Sequence, residues 1–152
     1  MNLEDIQPFV VARLQAAPSL AGVPILADDG TYPKTPQREQ KLRDVGLVII
    51  VWQIESDGLG SAANGFAEQD LYIPVLIEEN PVICRAVGGL NIPAEKALRL
   101  VQSIVPGRPI THVRPGHSVE VHDPPFRNFG TIQGVRRIVA NFVLRSSPII
   151  PT

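Results

Sequence analysis

Two apolar runs on either side of a glycine-rich segment constrain the fold of this chain more than any other feature. The runs cover residues 47–54 and 71–77, and glycine, serine and asparagine are concentrated between them. β-branched and aromatic residues favour strands, and clusters of turn-forming residues bound them. The sequence therefore predicts a long antiparallel hairpin, whose strand edges would offer backbone hydrogen bonds to other chains.

Each strand of this hairpin carries a further signal. Residues 47–51 are all apolar and do not alternate with polar residues, so we expect both faces of the first strand to be covered. Pro74 lies inside the second strand and has no N–H to donate to a neighbour. The second strand is therefore predicted to be an edge strand, or to bulge at Pro74.

The composition is typical of one globular domain. The chain has 152 residues, of which 44% are hydrophobic and 19% charged, so it can bury a core and is too apolar to be disordered. We predict one domain over residues 1–147 and a short apolar tail over residues 148–152. The formal net charge of −1 gives no global attraction to nucleic acid or to an anionic membrane. A single cysteine excludes an internal disulfide.

Targeting signals are not evident in the sequence. The first residues lack the basic start and apolar stretch of a signal peptide, and no run has the length of a membrane-spanning helix. We therefore expect a protein that is made in the cytoplasm and stays soluble there, with no membrane partner.

Apolar residues recur at helical spacing in two segments. The pattern predicts helices over residues 3–16 and 94–104, and we expect Asn91 to cap the second. Asn80 followed by Pro81 is typical of a helix start, and a short helix is predicted there. A polar stretch over residues 31–44 leaves two alternatives open, a long functional loop or a short helix around residues 37–43.

Three further segments read as strands, over residues 23–27, 117–122 and 133–145. In the last of these, alternate residues form an apolar face: Ile138, Ala140, Phe142 and Leu144. The opposite face is half polar, as expected for a sheet surface that meets water or a partner. The element order predicts an α+β fold, with a mostly antiparallel β-sheet and two main α-helices packed on one face.

The histidines invite a metal-site hypothesis. His112, His117 and His122 are spaced by five residues, and histidine is a common metal ligand. In an extended strand, however, His117 and His122 point to opposite faces. A small metal-dependent hydrolase that uses His117, His122 or Asp123 stays an alternative, but we expect no metal, no cofactor and no catalytic residue.

Other chemistry-bearing residues have ordinary explanations. Ser61 does not lie in a strand-to-helix elbow of the nucleophile type. Glu78 and Glu79 precede the predicted helix start at Pro81, where negative charge is favourable. Arg136 and Arg137 are expected on opposite faces of a strand; one of the two could meet an acidic neighbour, but a solvated face is the more common outcome. Phosphate binding needs several converging cations, so nucleic-acid binding is only a minor alternative for a local basic patch in this nearly neutral chain: Lys34, Arg38, Lys41 and Arg43.

The order of these elements resembles the tail terminator proteins of tailed bacteriophages, including those of contractile-tailed phages. The likeness spans most of the chain and is carried by the helices over 3–16 and 94–104, the strand over 23–27, the loop through Tyr32 and Pro33, the hairpin over 47–77 and the strand over 133–145. The break at Gly88 and Gly89 departs from a single long second helix.

The resemblance implies a structural virion protein rather than an enzyme. Such a protein forms a ring, expected to be a hexamer, that caps the tail tube, ends tube polymerisation and forms the docking surface for the head or neck. Its partners would be other copies of itself, the tail tube protein with the sheath as a further candidate, and a neck or head-completion protein. DNA would pass through the lumen without specific binding.

The same likeness suggests where the subunits and the tube meet. The interface hypothesis involves the loop, the hairpin and the tail: Tyr32, Lys34, Arg38, Lys41, Arg43, Leu59, Asn64, Pro74, Arg137, Ile149 and Ile150. A phage assembly chaperone or a monomeric binding module is a second alternative function.

Overall fold

The computed structural model describes residues 6–28, 36–53, 55–56, 71–106 and 117–146. Four helices lie in these ranges: α1 (Ile6–Gln15), α2 (Pro36–Asp44), α3 (Pro81–Cys84) and α4 (Ala94–Ile104). Six strands accompany them: β1 (Ile25–Ala27), β2 (Leu47–Val51), β3 (Glu55–Ser56), β4 (Leu71–Glu79), β5 (His117–Ile132) and β6 (Val135–Ser146). The predicted helices over residues 3–16 and 94–104 are confirmed within the described residues.

The strands form one mixed sheet in the order β1-β2-β4-β6-β5, and β3 pairs with β4 beside β2. β1 runs parallel to β2, and every other recorded pair is antiparallel. The side-chain amide of Gln7 in α1 donates to the carbonyls of Asp28 and Val51, both at 2.8 Å, and so ties the ends of β1 and β2 together. The predicted α+β class with a mostly antiparallel sheet is confirmed.

β2 and β4, the two strands of the predicted hairpin, pair antiparallel, and the predicted tip over residues 57–70 lies outside the described residues. Pro74 is not on an edge strand. β4 pairs with β2 on one side and with β6 on the other. Val51 of β2 pairs with Val75 of β4, and Glu55 of β3 pairs with Tyr72 of β4. Between these two pairs the chain advances four residues from β2 to β3 but only three along β4, so the pairing shifts by one residue opposite Pro74. The missing N–H of Pro74 therefore falls where the ladder is already irregular.

One face of the sheet is covered by α1 and α4. Side chains from both helices, among them Val10, Leu14 and Val101, pack in one buried cluster with the strands. Each large aliphatic side chain buried in this way stabilises the fold by about 1.5–3 kcal/mol. The four residues predicted to form the apolar face of β6 all lie in this cluster: Ile138, Ala140, Phe142 and Leu144.

The opposite face is covered in part by α2. Leu42 of α2 packs in a smaller cluster with Val48 and Ile50 of β2 and with Leu76 of β4. All of β2 is buried, so the prediction that both its faces are covered is confirmed. Of the two alternatives for the polar stretch, the structure contains the short helix, and residues 29–35 lie outside the described residues.

The outermost strand, β5, is much longer than predicted. It continues from His117 through Pro124 and Pro125 to Ile132, with a shift of pairing between Val121 and Phe126. An edge strand accommodates proline because the missing N–H can face outward. Gln133 was predicted to be a strand residue, but it forms the turn with Gly134.

Two predicted helix starts have different outcomes. α3 begins after Asn80 as predicted, although the Asn80 side chain makes no capping hydrogen bond. Asn91 does not cap α4, because that helix begins at Ala94 after Pro93. The N–H of Ala94 donates instead to Oε1 of Glu79, at 3.1 Å. A carboxylate from the sheet therefore takes the role predicted for Asn91.

Candidate functional site

The outer edge of β5 is the main exposed apolar surface in the described part of the chain. From position 120 to position 134 every side chain is half-buried or exposed, and no described strand pairs with the outer edge. Large hydrophobic side chains here are between 41% and 54% exposed: Val121, Phe126, Phe129 and Ile132. We call these four residues the β5 edge surface. Val121 and Phe126 share the face covered by α1 and α4, whereas Ile132 lies opposite Val135 on the other face, so the four residues follow the edge of the sheet and do not form one patch. Exposed apolar residues along an unpaired strand edge are typical of interaction sites.

The placement of the helix layer explains why this surface is exposed. α4 packs against β4 and β6, so the helix layer covers the middle of the sheet. Val121 and Phe126 lie opposite Phe142 and Ala140 on the helix-covered face, yet both remain exposed. The guanidinium of Arg127 lies 5.7 Å from the centre of the Phe129 ring, which orients one of the exposed aromatic side chains.

A groove of about 370 Å³ lies beside this edge. Its lining consists of Tyr72, Ile73, Pro74, His122, Pro124, Arg127, Asn141 and Phe142. The rings of Tyr72 and His122 meet edge to face, with their centres 5.0 Å apart. The side-chain amide of Asn141 donates to the carbonyl of Pro124 at 3.3 Å, which holds the irregular part of β5 against β6. We call this the β4–β5 groove.

A buried cluster of ion pairs lies at the Glu79 end of β4, away from Tyr72. Glu78 is fully buried and accepts two hydrogen bonds from Arg38 of α2, and one from Nε of Arg137 at 3.0 Å. The expectation that Glu78 supplies charge to a helix start is wrong. It joins α2 to β6 across the second face of the sheet.

Glu79 makes a matching arrangement on the other face. Its carboxylate accepts bonds from Nε and Nη2 of Arg85, at 3.1 and 3.2 Å, besides the N–H of Ala94. The hydrogen bond to this carboxylate raises the pKa of Arg85. Glu79 therefore supplies charge to the start of α4, not to the start of α3 as predicted.

Arg136 and Arg137 both meet acidic neighbours, whereas the sequence favoured a solvated face and allowed such a neighbour for only one of them. Arg136 pairs with Glu95 of α4, and Arg137 pairs with Glu78. Partial burial favours a higher pKa for Glu95, but its own backbone N–H and the bond from Arg136 outweigh this and lower the pKa. The arginines and glutamates at this end therefore act as ties between layers.

The residues of the interface hypothesis differ in exposure, and several lie outside the described residues. Lys41 and Arg43 are exposed on α2, whereas Arg38 and Pro74 are buried and Arg137 is half-buried. The others lie outside the described residues: Tyr32, Lys34, Leu59, Asn64, Ile149 and Ile150. The sequence reasoning missed the β5 edge surface, although phenylalanines that follow two consecutive prolines were a signal for an exposed edge.

The structure brings together no histidine cluster among the described residues. His122 packs on Tyr72, and no group of three histidine, cysteine, aspartate or glutamate residues in the described ranges is placed to hold a metal ion. His112 lies outside these ranges. Cys84 is buried, and this burial raises the pKa of its thiol despite a hydrogen bond to the carbonyl of Ile92.

Comparisons with known proteins assign no family to this chain. No model of a known protein family matches this chain, and no curated protein matches it significantly. Among the described helices, none has both the length and the apolarity needed to cross a membrane.

Proposed function

We propose that this protein is a structural virion protein that caps the tail tube of a bacteriophage as a ring of identical subunits, a hexamer. The ring ends polymerisation of the tube and forms the docking surface for the head or neck. The observation that carries the proposal is the β5 edge surface, together with the unpaired outer edge of the strand among the described residues.

The edge strand suits association between copies in two ways. Its backbone N–H and C=O groups can extend a neighbouring sheet or bind an extended segment, which provides affinity. The exposed side chains of Phe126 and Phe129 add apolar area and specificity. Aromatic side chains are enriched at the centres of protein interfaces for this reason.

The two ends of the sheet differ, which favours a ring over a symmetric dimer. The β5 edge has 16 residues, whereas the β1 edge has three and runs parallel to its neighbour. A surface of one kind that meets a different surface on the next copy makes a head-to-tail contact, and such contacts close into rings when the rotation allows.

The ion pairs supply the rigidity that a ring subunit needs. Glu78 and Glu79 tie α2, α3, α4 and β6 to the end of β4, while the exposed cations Lys41 and Arg43 remain on the outer surface of α2. A rigid frame keeps the two contact surfaces at a constant angle, and a constant angle is what closes a ring with a defined number of subunits.

The test is electron microscopy of the purified protein mixed with tail tubes polymerised from a bacteriophage tail tube protein. We expect rings at tube ends and shorter tubes when the protein is present during polymerisation. In solution, light scattering of the ring should give six times the 16.5 kDa mass of the chain.

A matched pair of variants tests the β5 edge surface. Phe126→Asp with Phe129→Asp should abolish the ring, because charge replaces apolar contact area. Val82→Asp with Val87→Asp changes two hydrophobic residues elsewhere that are more exposed than the phenylalanines, and should leave the ring intact. Unchanged circular dichroism and urea midpoints establish that both proteins fold. Failure of the wild-type protein to bind tubes contradicts the function, and rings from the phenylalanine variant contradict the role of β5.

A further inference from the structure

We propose that the β4–β5 groove binds an extended segment of a partner protein in which an apolar side chain is followed, two residues later, by an acidic side chain. The apolar side chain enters the groove, and the carboxylate binds Arg127 at its mouth. The described lining of the groove comes from one chain, so this inference goes beyond the proposed ring and does not depend on it.

The lining of the groove changes from apolar to charged between its floor and its mouth. Three buried residues of β4 and β6 form the floor: Ile73, Pro74 and Phe142. Tyr72 and His122 are half-buried beside it, with their rings edge to face, and the exposed Arg127 lies at the mouth. A ligand that matches this order has an apolar part that is buried and a negative charge outside it.

Arg127 carries a positive charge that no described carboxylate compensates. The arginines at the start of β6 pair with glutamates, whereas within the described ranges the contact recorded for Arg127 is the ring of Phe129. A guanidinium over a ring keeps its N–H groups free to bind a carboxylate in its own plane. The two acidic residues of the same strand, Glu120 and Asp123, do not line the groove. Charge complementarity therefore favours an acidic ligand.

The register of the sheet gives the distance between the two parts of the site. Pro74 pairs with Asn141 at the groove, and Arg127 pairs with Val139, two residues away along β6. Two residues of a strand span about 7 Å. Side chains of an extended segment repeat on one face at the same interval. A carboxylate two residues from an apolar side chain therefore reaches Arg127 when that side chain lies in the groove.

The exposed mouth of the groove favours a polypeptide over a small molecule. Sites for small molecules enclose most of the surface of the ligand, whereas here Pro124 and Arg127 are exposed. The apolar surface also continues beyond Arg127 to Phe129, which is 50% exposed. An extended segment can follow this surface, and its backbone carbonyls can accept further hydrogen bonds from the guanidinium.

The test is binding of a fluorescent peptide with blocked ends to the full-length protein, measured by fluorescence anisotropy. The sequence Thr-Phe-Thr-Glu-Val-Thr places phenylalanine and glutamate two residues apart and favours an extended conformation. We expect saturable binding. Glutamine in place of the glutamate, or the rearranged sequence Thr-Thr-Phe-Glu-Val-Thr, should weaken binding about fivefold or more. Absence of saturable binding, or equal binding of these peptides, overturns the proposal.

Substitution of Arg127 locates the carboxylate. Arg127→Gln should weaken binding of the glutamate peptide about fivefold and leave binding of the glutamine peptide unchanged, because the latter has no charge to lose. Arg99→Gln, which removes an exposed arginine of α4 outside the groove, is the matched control and should bind both peptides as wild type does. Equal effects of Arg127→Gln on the two peptides, or an equal loss in the control, overturn the proposal.

The position of the apolar side chain is tested in two ways. Titration of the wild-type protein with the glutamate peptide should shift the NMR amide resonances of Ile73, His122 and Asn141. His122→Ala, with its fold confirmed by circular dichroism, should weaken binding about threefold, because one wall of the groove is lost. Amide shifts confined to other parts of the chain, or unchanged binding by a folded His122→Ala variant, overturn the assignment to the groove.

A small acid distinguishes the two kinds of ligand. Phenylpropionate has a ring and a carboxylate but no peptide backbone, so it should bind about tenfold more weakly than the glutamate peptide or worse. Equal affinity would assign the groove to a small molecule and overturn the assignment to a polypeptide. Rings at tube ends from a protein that binds no peptide would refute this site alone. Peptide binding by a protein that forms no rings would refute the proposed function alone.

Discussion

Two consecutive glutamates at the end of β4 hold different layers of the protein together. Successive side chains of a strand point to opposite faces, so Glu78 meets Arg38 and Arg137 on one face while Glu79 meets Arg85 on the other. Burial of a carboxylate is costly unless it is paired and hydrogen-bonded, and each of these has at least three hydrogen bonds.

The substitution Glu78→Gln should lower the free energy of unfolding by about 3 kcal/mol, because it removes the negative charge that buried Arg38 shares with Arg137. Urea denaturation measures the change. Glu39→Gln, on the exposed side of α2, is the control and should change stability by less than about 0.5 kcal/mol. A loss below about 1 kcal/mol for Glu78→Gln would show that the buried pair contributes little.

Two glycines with the same backbone conformation should respond differently to alanine. Gly46 and Gly88 have φ of +79° and +85°. A Cβ on Gly46 would lie 2.3 Å from the backbone nitrogen of Cys84, whereas no atom of the described residues lies within 4 Å of a Cβ on Gly88. Gly88→Ala should cost about 1 kcal/mol through its backbone conformation alone. Gly46→Ala should cost clearly more, since α3 must move. Equal urea midpoints would contradict this.

At the scale of the elements, the β5–β6 hairpin combines an irregular edge with a tight turn. Gln133 and Gly134 have φ of +52° and +79°, which matches a type I′ turn, the turn whose twist suits two antiparallel strands. Glutamine is an unusual residue for the first position, where asparagine is favoured. The turn therefore forms with glutamine at its first position, although asparagine suits that backbone conformation better.

Gln133→Asn should raise the free energy of unfolding by about 0.5 kcal/mol, because asparagine tolerates the left-handed conformation. Gln133→Val should lower it by about 1 kcal/mol or more, since a β-branched side chain is strained there. Thermal or urea unfolding measures both. If the asparagine variant were less stable than wild type, the turn in solution would differ from type I′.

At the scale of the whole molecule, the ion pairs lie mainly between elements, whereas the outer edge of β5 carries large exposed hydrophobic side chains. Most charged pairs recorded by the structure join elements at one end of the sheet, while the exposed large hydrophobics of β5 lie at its outer edge. The chain has a formal net charge of only −1. Association through β5 should therefore depend on apolar contact more than on attraction between charges.

The ring should accordingly survive high salt. An increase from about 0.1 M to about 1 M NaCl shortens the Debye length from about 10 Å to about 3 Å and weakens exposed ion pairs, but it does not weaken apolar contacts. Light scattering or sedimentation with tail tubes should show the same complex at both concentrations. Dissociation at high salt would assign the contact to exposed cations such as Lys41 and Arg43.

Some elements were predictable because their signal is local. The helix over residues 94–104 has one clear apolar stripe, and the hairpin of β2 and β4 has two β-branched runs of sufficient length. The helix α2 lacks such a stripe. It is almost entirely polar, so periodicity left two alternatives, and packing of Leu42 and Arg38 on the sheet decided for the helix.

The candidate site was less predictable than the fold. Exposure of Phe126 and Phe129 depends on how far the helix layer extends over the sheet, and no local pattern encodes that distance. The burial of Glu78 and Glu79 depends likewise on three arginines, from α2, from β6 and from the turn after α3, which the fold brings together from separate positions along the chain.

The sequence alone determined the class of fold, the central hairpin, the two main helices and the inward face of β6, because spacing of apolar residues and turn formers acts over a few neighbours. Only the tertiary structure decided that Pro74 lies inside the sheet, that the paired glutamates are buried and that β5 is left exposed. Those properties depend on which elements become neighbours and on what area they leave uncovered, and contacts between distant residues determine both.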